Sequence, residues 1–503
     1  IARLHAVAVG VKGEGVGDAA QIGRPLDEFL GLLGDEPEPV PAFAEGAVDR
    51  QVTLRGVNVN SLGDYYQGNP KLPTVVPVTG ADWDSMAAHG FDVVRLLVSW
   101  SRLEPAPGVV DGAYLRQIDR TVDAAAARGI YSVIDLHQDA WGKYIASPKG
   151  VTCAEGTEPA IGWDGAPRWA TLTDGADTCR PKGNREGAPA VRAAFTNFYR
   201  NTDGIRDEFT STVAKVAGEF ALDWQVAGYD LLNEPNLVLS ADESEQRYTE
   251  LVSDAVTKIR TAEKAVPRSL PKLIFVEPIV LFPLPGSMPS KTVSDDANLV
   301  FAPHNYAESI GPKVLTVEQT MSISADAAKE RGWPLWIGEY GIFSRDAEQL
   351  AVLRRFAAAE DANLVSGSTE WQWRQRCGDP HTVGSPDGKP SGETVQLNFQ
   401  ECPQDADGGP NRPLLAIVGR AYPRAAPGHL TKLSSDPATG KLVVEGVAGS
   451  NRAARLVIWV PGRATPKPKV TGMADVLVLP VTGGHYITAR AVTRSYALTL
   501  AGR

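Results

Sequence analysis

Val226-Ala-Gly-Tyr-Asp-Leu-Leu-Asn-Glu-Pro235 carries a short apolar run straight into an amide, a carboxylate and a proline. Proline cannot donate to a β ladder, so the run reads as a buried strand that ends at Asn233-Glu234. Folds built from parallel strands gather their chemistry at that end. A glutamate before proline is also common at solvated turns, so Glu234 gains meaning only from what the other strand ends hold.

Seven further runs have the same character, at 53–58, 93–97, 132–136, 273–276, 299–302, 335–338 and 367–370. Amphipathic helical patterns lie between them, at 82–89, 113–128, 190–218, 244–265, 317–331 and 346–362. Alternating strands and helices joined by right-handed crossovers leave few architectures, and eight such units predict an α/β fold of the TIM (β/α)8 barrel type. No Gly-x-Gly-x-x-Gly follows the first run, which leaves a dinucleotide fold without support.

The ends of the chain differ from this middle. Residues 1–50 are rich in Gly, Pro and acidic groups and are expected to form an arm packed on a barrel at 51–423. Past 424, alternating Val and Ile segments at 441–447, 455–460, 474–480 and 486–492 predict a C-terminal antiparallel β-sandwich domain, 424–503. Its aromatics Trp459, Tyr486 and Tyr496 are few for a sugar-binding face, so it reads as a packed appendage before a binding module.

A chain of 503 residues with 43% hydrophobic and 22% charged residues is ordinary globular material, long enough for two domains. No apolar run is of membrane-spanning length. A formal charge of -10 argues against a nucleic-acid partner, which needs clustered Lys and Arg. Cys153, Cys179, Cys377 and Cys402 lack metal or redox spacing. Of the three possible pairings the local one, 153 with 179 and 377 with 402, is expected, and it points to a secreted, extracellular setting; four free thiols is the alternative. The run 1–11 meets charge at Lys12 and Glu14 too soon for a signal's apolar region, so a leader is expected to be already absent.

The predicted strand ends carry an unusual set of polar residues: Arg95, His137-Gln138-Asp139, Asn233-Glu234, His304-Asn305-Tyr306, Glu339-Tyr340 and Trp371-Gln372-Trp373. In a barrel these converge on one mouth. Glu234 and Glu339 belong to the fourth and seventh strands and would face each other across it. Hydrolysis of an acetal needs such a pair, one carboxyl to protonate the departing oxygen and one to capture or stabilise the oxocarbenium-like carbon. Arg, Tyr and His neighbours would keep one ionised while burial keeps the other protonated. A plain ion pair between Glu339 and Arg95 is the competing reading of Glu339.

Asn233-Glu234-Pro235 followed by Trp336-Ile-Gly-Glu339-Tyr-Gly resembles the two signatures of family 5 of the glycoside hydrolases, retaining β-glycosidases on a TIM barrel. The resemblance implies Glu234 as general acid/base, Glu339 as nucleophile and Asn233 as a ligand of the sugar 2-hydroxyl. Arg95, His137, His304 and Tyr306 match the family's supporting shell, and Trp373, or else Trp371, its sugar platform. Asp135-Leu-His-Gln-Asp139 with Trp141-Gly-Lys-Tyr144 and the small β domain resemble the endoglycoceramidase branch, which separates a glycan from the ceramide of a glycosphingolipid. That likeness implies a sugar contact for Asp139; capping the next helix is the alternative.

The long insertion 140–188, with Trp141, Tyr144, Trp163 and Trp169, and Ile279-Val-Leu-Phe-Pro-Leu-Pro285 offer apolar surface for a lipid, or a local loop core. Branch members acting on glucose-linked glycans tend to carry a lysine after the first strand, where this chain reads Asn60-Ser-Leu-Gly-Asp64. That departure favours the endogalactosylceramidase sub-branch, with Asp64 as a contact to the first sugar. A family 5 β-glucanase, a simple β-glycosidase and a silent glycolipid-binding protein are the rival readings. No metal or cofactor is expected, transient contact with a membrane or micelle surface is, and the chain is expected to be a monomer.

Overall fold

The computed structural model describes residues 50–310, 314–383, 386–389, 396–402, 404–451 and 454–502. The arm expected over 1–50 lies, apart from Arg50, outside the described residues.

All eight predicted barrel strands are present. They are β1 (Leu54–Leu62), β2 (Val93–Ser99), β3 (Tyr131–His137), β4 (Val226–Asp230), β5 (Leu273–Val276), β6 (Leu299–Phe301, continued by His304–Asn305), β7 (Ile337–Tyr340) and β8 (Gly367–Glu370). Each pairs in parallel with the next, and β8 pairs with β1. Pro303 interrupts the sixth strand: Phe301 meets Leu335 by an isolated parallel bridge, and His304 pairs with Glu339 beyond it. The ring is therefore closed, and β6 has no unpaired edge to protect.

One predicted helix differs. The pattern at 190–218 is two helices, Pro189–Tyr199 and Ile205–Glu219, because Asn201, Asp203 and Gly204 between them adopt left-handed φ values of 58°, 53° and 79° that break the helical ladder. Hydrophobic periodicity continues across such a break, so the sequence pattern does not register it.

The C-terminal sandwich has a five-stranded sheet in the order Arg50–Val52, Tyr422–Pro427, Arg455–Pro461, Gly484–Ala491, Met473–Val481. Its second sheet runs His429–Ser435, Leu442–Val447, Ser495–Leu500, Lys469–Thr471. All the strand ladders are antiparallel. Tyr422–Pro427 lies outside the predicted strands and holds two prolines, beside the first of which the register shifts between Pro423 and Ala425. Cys153 is bonded to Cys179 and Cys377 to Cys402, the local pairing.

The sandwich docks on the end of the barrel where the strands begin, opposite the mouth. Trp459 packs over Gly90, where a Cβ would come within 2.3 Å of the indole, and its Nε1 donates to Gly419 O at 3.1 Å. Beside it lies a buried charge network: Arg55 reaches Glu360 (3.1 Å) and Asp361 (2.6 Å), Arg420 reaches the same two carboxylates (2.6 and 2.8 Å), and Ser435 N donates to Asp361 at 2.7 Å. Removing one member of a buried pair strands its partner. Arg420→Met should therefore lower unfolding stability by about 3–5 kcal/mol in a denaturant titration. A loss within about 0.5 kcal/mol, the range of ordinary surface changes, would count against this network as the junction's anchor.

Candidate active site

The floor of the mouth is built on Arg95, from the middle of β2 and fully buried. Its Nε donates to Asp230 at 2.8 Å; its Nη1 reaches Glu339 (2.7 Å) and Asn58 (3.1 Å); its Nη2 reaches Glu277 (2.7 Å), Asn233 (3.0 Å) and Asp135 (3.0 Å). Burial opposes its charge, and Asp135, Asp230, Glu277 and Glu339 outweigh that and hold it protonated. Asp135, Asp230 and Glu277 lie close enough to share a cation, and the cation they share is this guanidinium.

Glu339, next to the end of β7, is buried; besides Arg95 it accepts a hydrogen bond from the Tyr306 hydroxyl at 2.9 Å. Glu234 follows β4 with φ at +39°, a left-handed conformation that costs a residue with a Cβ about 1–3 kcal/mol and persists only where its surroundings hold it. They do: Glu234 N donates to Glu277 Oε2 at 2.8 Å, and Gln138 Nε2 donates to the carbonyls of Asn233 (2.7 Å) and Glu234 (3.0 Å). Its side chain takes His304 Nδ1 on Oε1 (2.9 Å) and Arg185 Nη2 on Oε2 (2.7 Å). A carboxylate oxygen of Glu234, one of Glu339 and a nitrogen of His304 all lie within 4.8 Å of one another.

The electrostatics of the site set the two carboxyls apart. Burial pushes the Glu234 carboxyl up, but the His304 hydrogen bond and the Arg185 charge overcome it and bring the group down to about 2. Glu339 is moved upward, by burial first, with Glu234 adding to it and His304 and Arg95 opposing. His304 itself is kept protonated: burial works against its charge, and Glu277, Glu339 and Glu234 outweigh it.

A second cluster adjoins the first. His137 Nδ1 bonds Asp135 at 2.7 Å, while its Nε2 is buried with no hydrogen-bond partner, 3.7 Å from Asp139. Asp139 is paired with Arg185 (2.6 Å) and with His381 Nε2 (3.1 Å) and does not cap a helix. Asp64 is placed one step further out, against Lys143 Nζ (2.8 Å) and Ser101 Oγ (2.7 Å). A lysine absent from the first loop thus reaches Asp64 from the loop after β3 instead.

The platform expectation needs correcting. Trp373 is turned into the core, its Nε1 donating to Asp82 at 3.0 Å, because the chain after β8 bonds back to Asn58 there. Trp371 is the indole at the mouth, stacked on His137 with ring centres 5.6 Å apart and packed against His381 at 5.1 Å. Sequence reading passed over Glu277, Arg185 and His381, and quoted Lys143 only within Trp141-Gly-Lys-Tyr144, with no role. Glu277-Pro278 directly follows a predicted strand and repeats the signal read at Glu234-Pro235. The other three lie in long connections whose sequence has no periodicity to place them.

A family model described as Cellulase (glycosyl hydrolase family 5) matches residues 47–375. Endoglycoceramidase I of Rhodococcus hoagii is 28% identical over 286 residues, 51% of this chain and 50% of its own. The endoglycoceramidase of Cyanea nozakii is 32% identical over 237 residues, 42% of this chain and 44% of its own. The chain thus spans about half the length of the curated relatives it matches. Among solved structures, that of an endogalactoceramidase superposes with a TM-score of 0.84 at 38% identity, covering 92% of this chain and 99% of that one. The lactosyl-enzyme intermediate of endo-glycoceramidase II from Rhodococcus sp. gives 0.70 at 23% identity over 92% and 100%, a likeness of fold. With its closed barrel, its facing carboxylates and the match over 47–375, the chain belongs to glycosyl hydrolase family 5.

Proposed function

We propose that this protein is a retaining endo-β-glycosidase that hydrolyses the bond between glycan and ceramide in glycosphingolipids, with galactose as the sugar next to the cleaved bond. The observation that carries the reading is the approach of Glu234 and Glu339 oxygens to within 4.8 Å across the mouth of a chain alike in sequence and fold to an endogalactoceramidase. Retaining enzymes hold their carboxyl groups roughly 5–5.5 Å apart, and inverting ones further, to admit a water.

In this reading Glu339, aligned by Arg95 and Tyr306, attacks the anomeric carbon. Glu234 passes a proton to the glycosidic oxygen as its bond to that carbon breaks, and ceramide leaves as the alcohol. Glu234, now a carboxylate, takes a proton from water as that water attacks the same carbon and releases Glu339. Asn233, oriented by Arg95, serves the sugar 2-hydroxyl. His137 Nε2 and Asp139 offer polar partners to other hydroxyls, Trp371 a stacking face, and Asp64 a contact that would tell the galactose C4 hydroxyl from its epimer.

Around the mouth, Leu281 (60%), Leu284 (51%), Ile310 (50%) and Phe343 (36%) are exposed on the loops after β5, β6 and β7. They suit the ceramide and brief contact with a membrane or micelle. No described helix is long and apolar enough to cross a membrane, and the two disulfides fit an oxidising, secreted setting outside the cell; the protein is proposed to act as a monomer. The same proposal assigns catalysis to a barrel domain at 51–423, whose outermost residues 51–52 and 422–423 pair within the sandwich sheet, and leaves 424–503 as an appended structural domain.

Glycan release from galactose-linked glycolipids should exceed that from glucose-linked ones and from soluble cellodextrins; turnover confined to the cellodextrins would replace the lipid reading with a β-glucanase. Glu339→Gln should lose turnover while keeping glycolipid binding by calorimetry, and full activity would remove it as nucleophile. Glu234→Gln should slow ceramide release by roughly 10²–10⁴-fold, with azide restoring turnover of an activated aryl galactoside. Trp371→Ala should raise KM about tenfold, the value of about 1.4 kcal/mol of lost stacking, whereas Trp373→Phe should lower Tm and leave KM alone. The reverse pattern would restore Trp373 as the platform.

A further inference from the structure

The mouth holds a cation that this reaction does not use. Arg185 opens the short turn Arg185–Gly187, between the strand Cys179–Pro181, tied to Cys153 by a disulfide, and the helix Pro189–Tyr199. Its Nη2 lies 2.7 Å from Glu234 Oε2 and 2.6 Å from Asp139 Oδ1, its Nε donates to Glu186 at 2.8 Å, and its guanidinium sits 4.8 Å over the Trp163 ring.

Both oxygens of Glu234 are therefore occupied, Oε1 by His304 and Oε2 by Arg185. A carboxyl that protonates a glycosidic oxygen must turn one oxygen toward it, so one of these donors has to leave. The His304 side chain is 8% exposed and is held on other sides by Glu277 at 3.3 Å and Glu339 at 3.6 Å. The Arg185 side chain is 25% exposed and comes from a connecting loop. Of the two donors Arg185 is the more exposed and is carried by a connecting loop, so it is the one placed to leave. Its departure also uncovers Asp139, the carboxylate assigned to the sugar.

We propose that Arg185 is a positioning residue that holds Glu234 and Asp139 in their working places and leaves both when sugar and glycosidic oxygen arrive. The inference rests on the reading of Glu234 as acid/base. Its effect on protons follows from what faces Glu234: His304 from β6, Glu277 after β5, Glu339 from β7, Tyr306 after β6, Asp139 after β3, and Arg185 and Glu186 from the insertion. Glu234 and His304 hold one proton between them. The Arg185 charge, alongside His304, opposes a proton on Glu234; with Arg185 gone, Glu234 carries it more readily to the leaving oxygen.

The alkaline limb of kcat/KM reports proton loss in the free enzyme, and that of kcat reports it in the substrate complex. In Arg185→Gln, assayed on a galactose-linked glycolipid, the kcat/KM limb should move up by about one pH unit while the kcat limb stays in place. Arg185→Lys, which keeps the charge without the fork, should move it less. Limbs that move together, a kcat limb that moves alone, or no movement would overturn the inference. Wild-type protein that releases no glycan would instead defeat the functional reading. If Arg185→Gln does not fold, a crystal structure of Glu339→Gln with bound glycolipid decides: Arg185 beyond hydrogen-bond distance of Glu234 supports the exchange, and Arg185 still on Glu234 refutes it.

Discussion

A guanidinium with no exposed surface stands at the centre of this fold, and it is tolerable only because four carboxylates surround it. Taking an ion of that kind out of water costs several kcal/mol even after relaxation, so Arg95 must be paired from every side. Asp135, Asp230, Glu277 and Glu339 do so from β3, β4, the end of β5 and β7, with Asn58 and Asn233 completing the set. The barrel floor is thus one electrostatic unit contributed by most of its strands. Glu277 extends it to Glu234 N and to His304, and Glu339 extends it to Tyr306. The two facing glutamates keep their spacing because both hang from this unit.

The molecule divides its labour by barrel end. Where the strands begin, apolar packing and the Arg55, Glu360, Asp361 and Arg420 network fix the sandwich in place, far from the mouth. Where the strands finish, an insertion stiffened by the Cys153–Cys179 bond and exposed apolar loops shape access. Closing a loop of this length with a disulfide is worth about 3 kcal/mol, chiefly by restricting the unfolded chain. That bond also anchors the connection that delivers Arg185.

Much of this was legible in the sequence because parallel strands obey a simple rule. Apolar runs mark the strands, and the polar residues after them mark the mouth, which is how Arg95, His137, Asn233, Glu234, His304, Tyr306 and Glu339 could be named together. The rule fails where direction matters more than position. Trp371 and Trp373 both follow β8, and only the turn of the chain back onto Asn58 sends one to the mouth and the other into the core. It also fails for long connections: nothing in the sequence around Arg185 or His381 ties either to Asp139, from which they are distant along the chain. Which of the two glutamates is held lower was not legible either, since it depends on His304 and on Arg185 from the insertion.

In the proposed mechanism Glu339 forms a bond to the sugar while Glu234 moves the proton. Incubation with a 2-deoxy-2-fluoro-β-galactosyl fluoride, in which fluorine slows release of the sugar from the enzyme, followed by mass spectrometry of the peptides, tests it directly. A single added fluorogalactosyl group on the peptide containing Glu339 is the predicted result. A label on Glu234, or steady turnover with inversion at the anomeric carbon and no label, would contradict it.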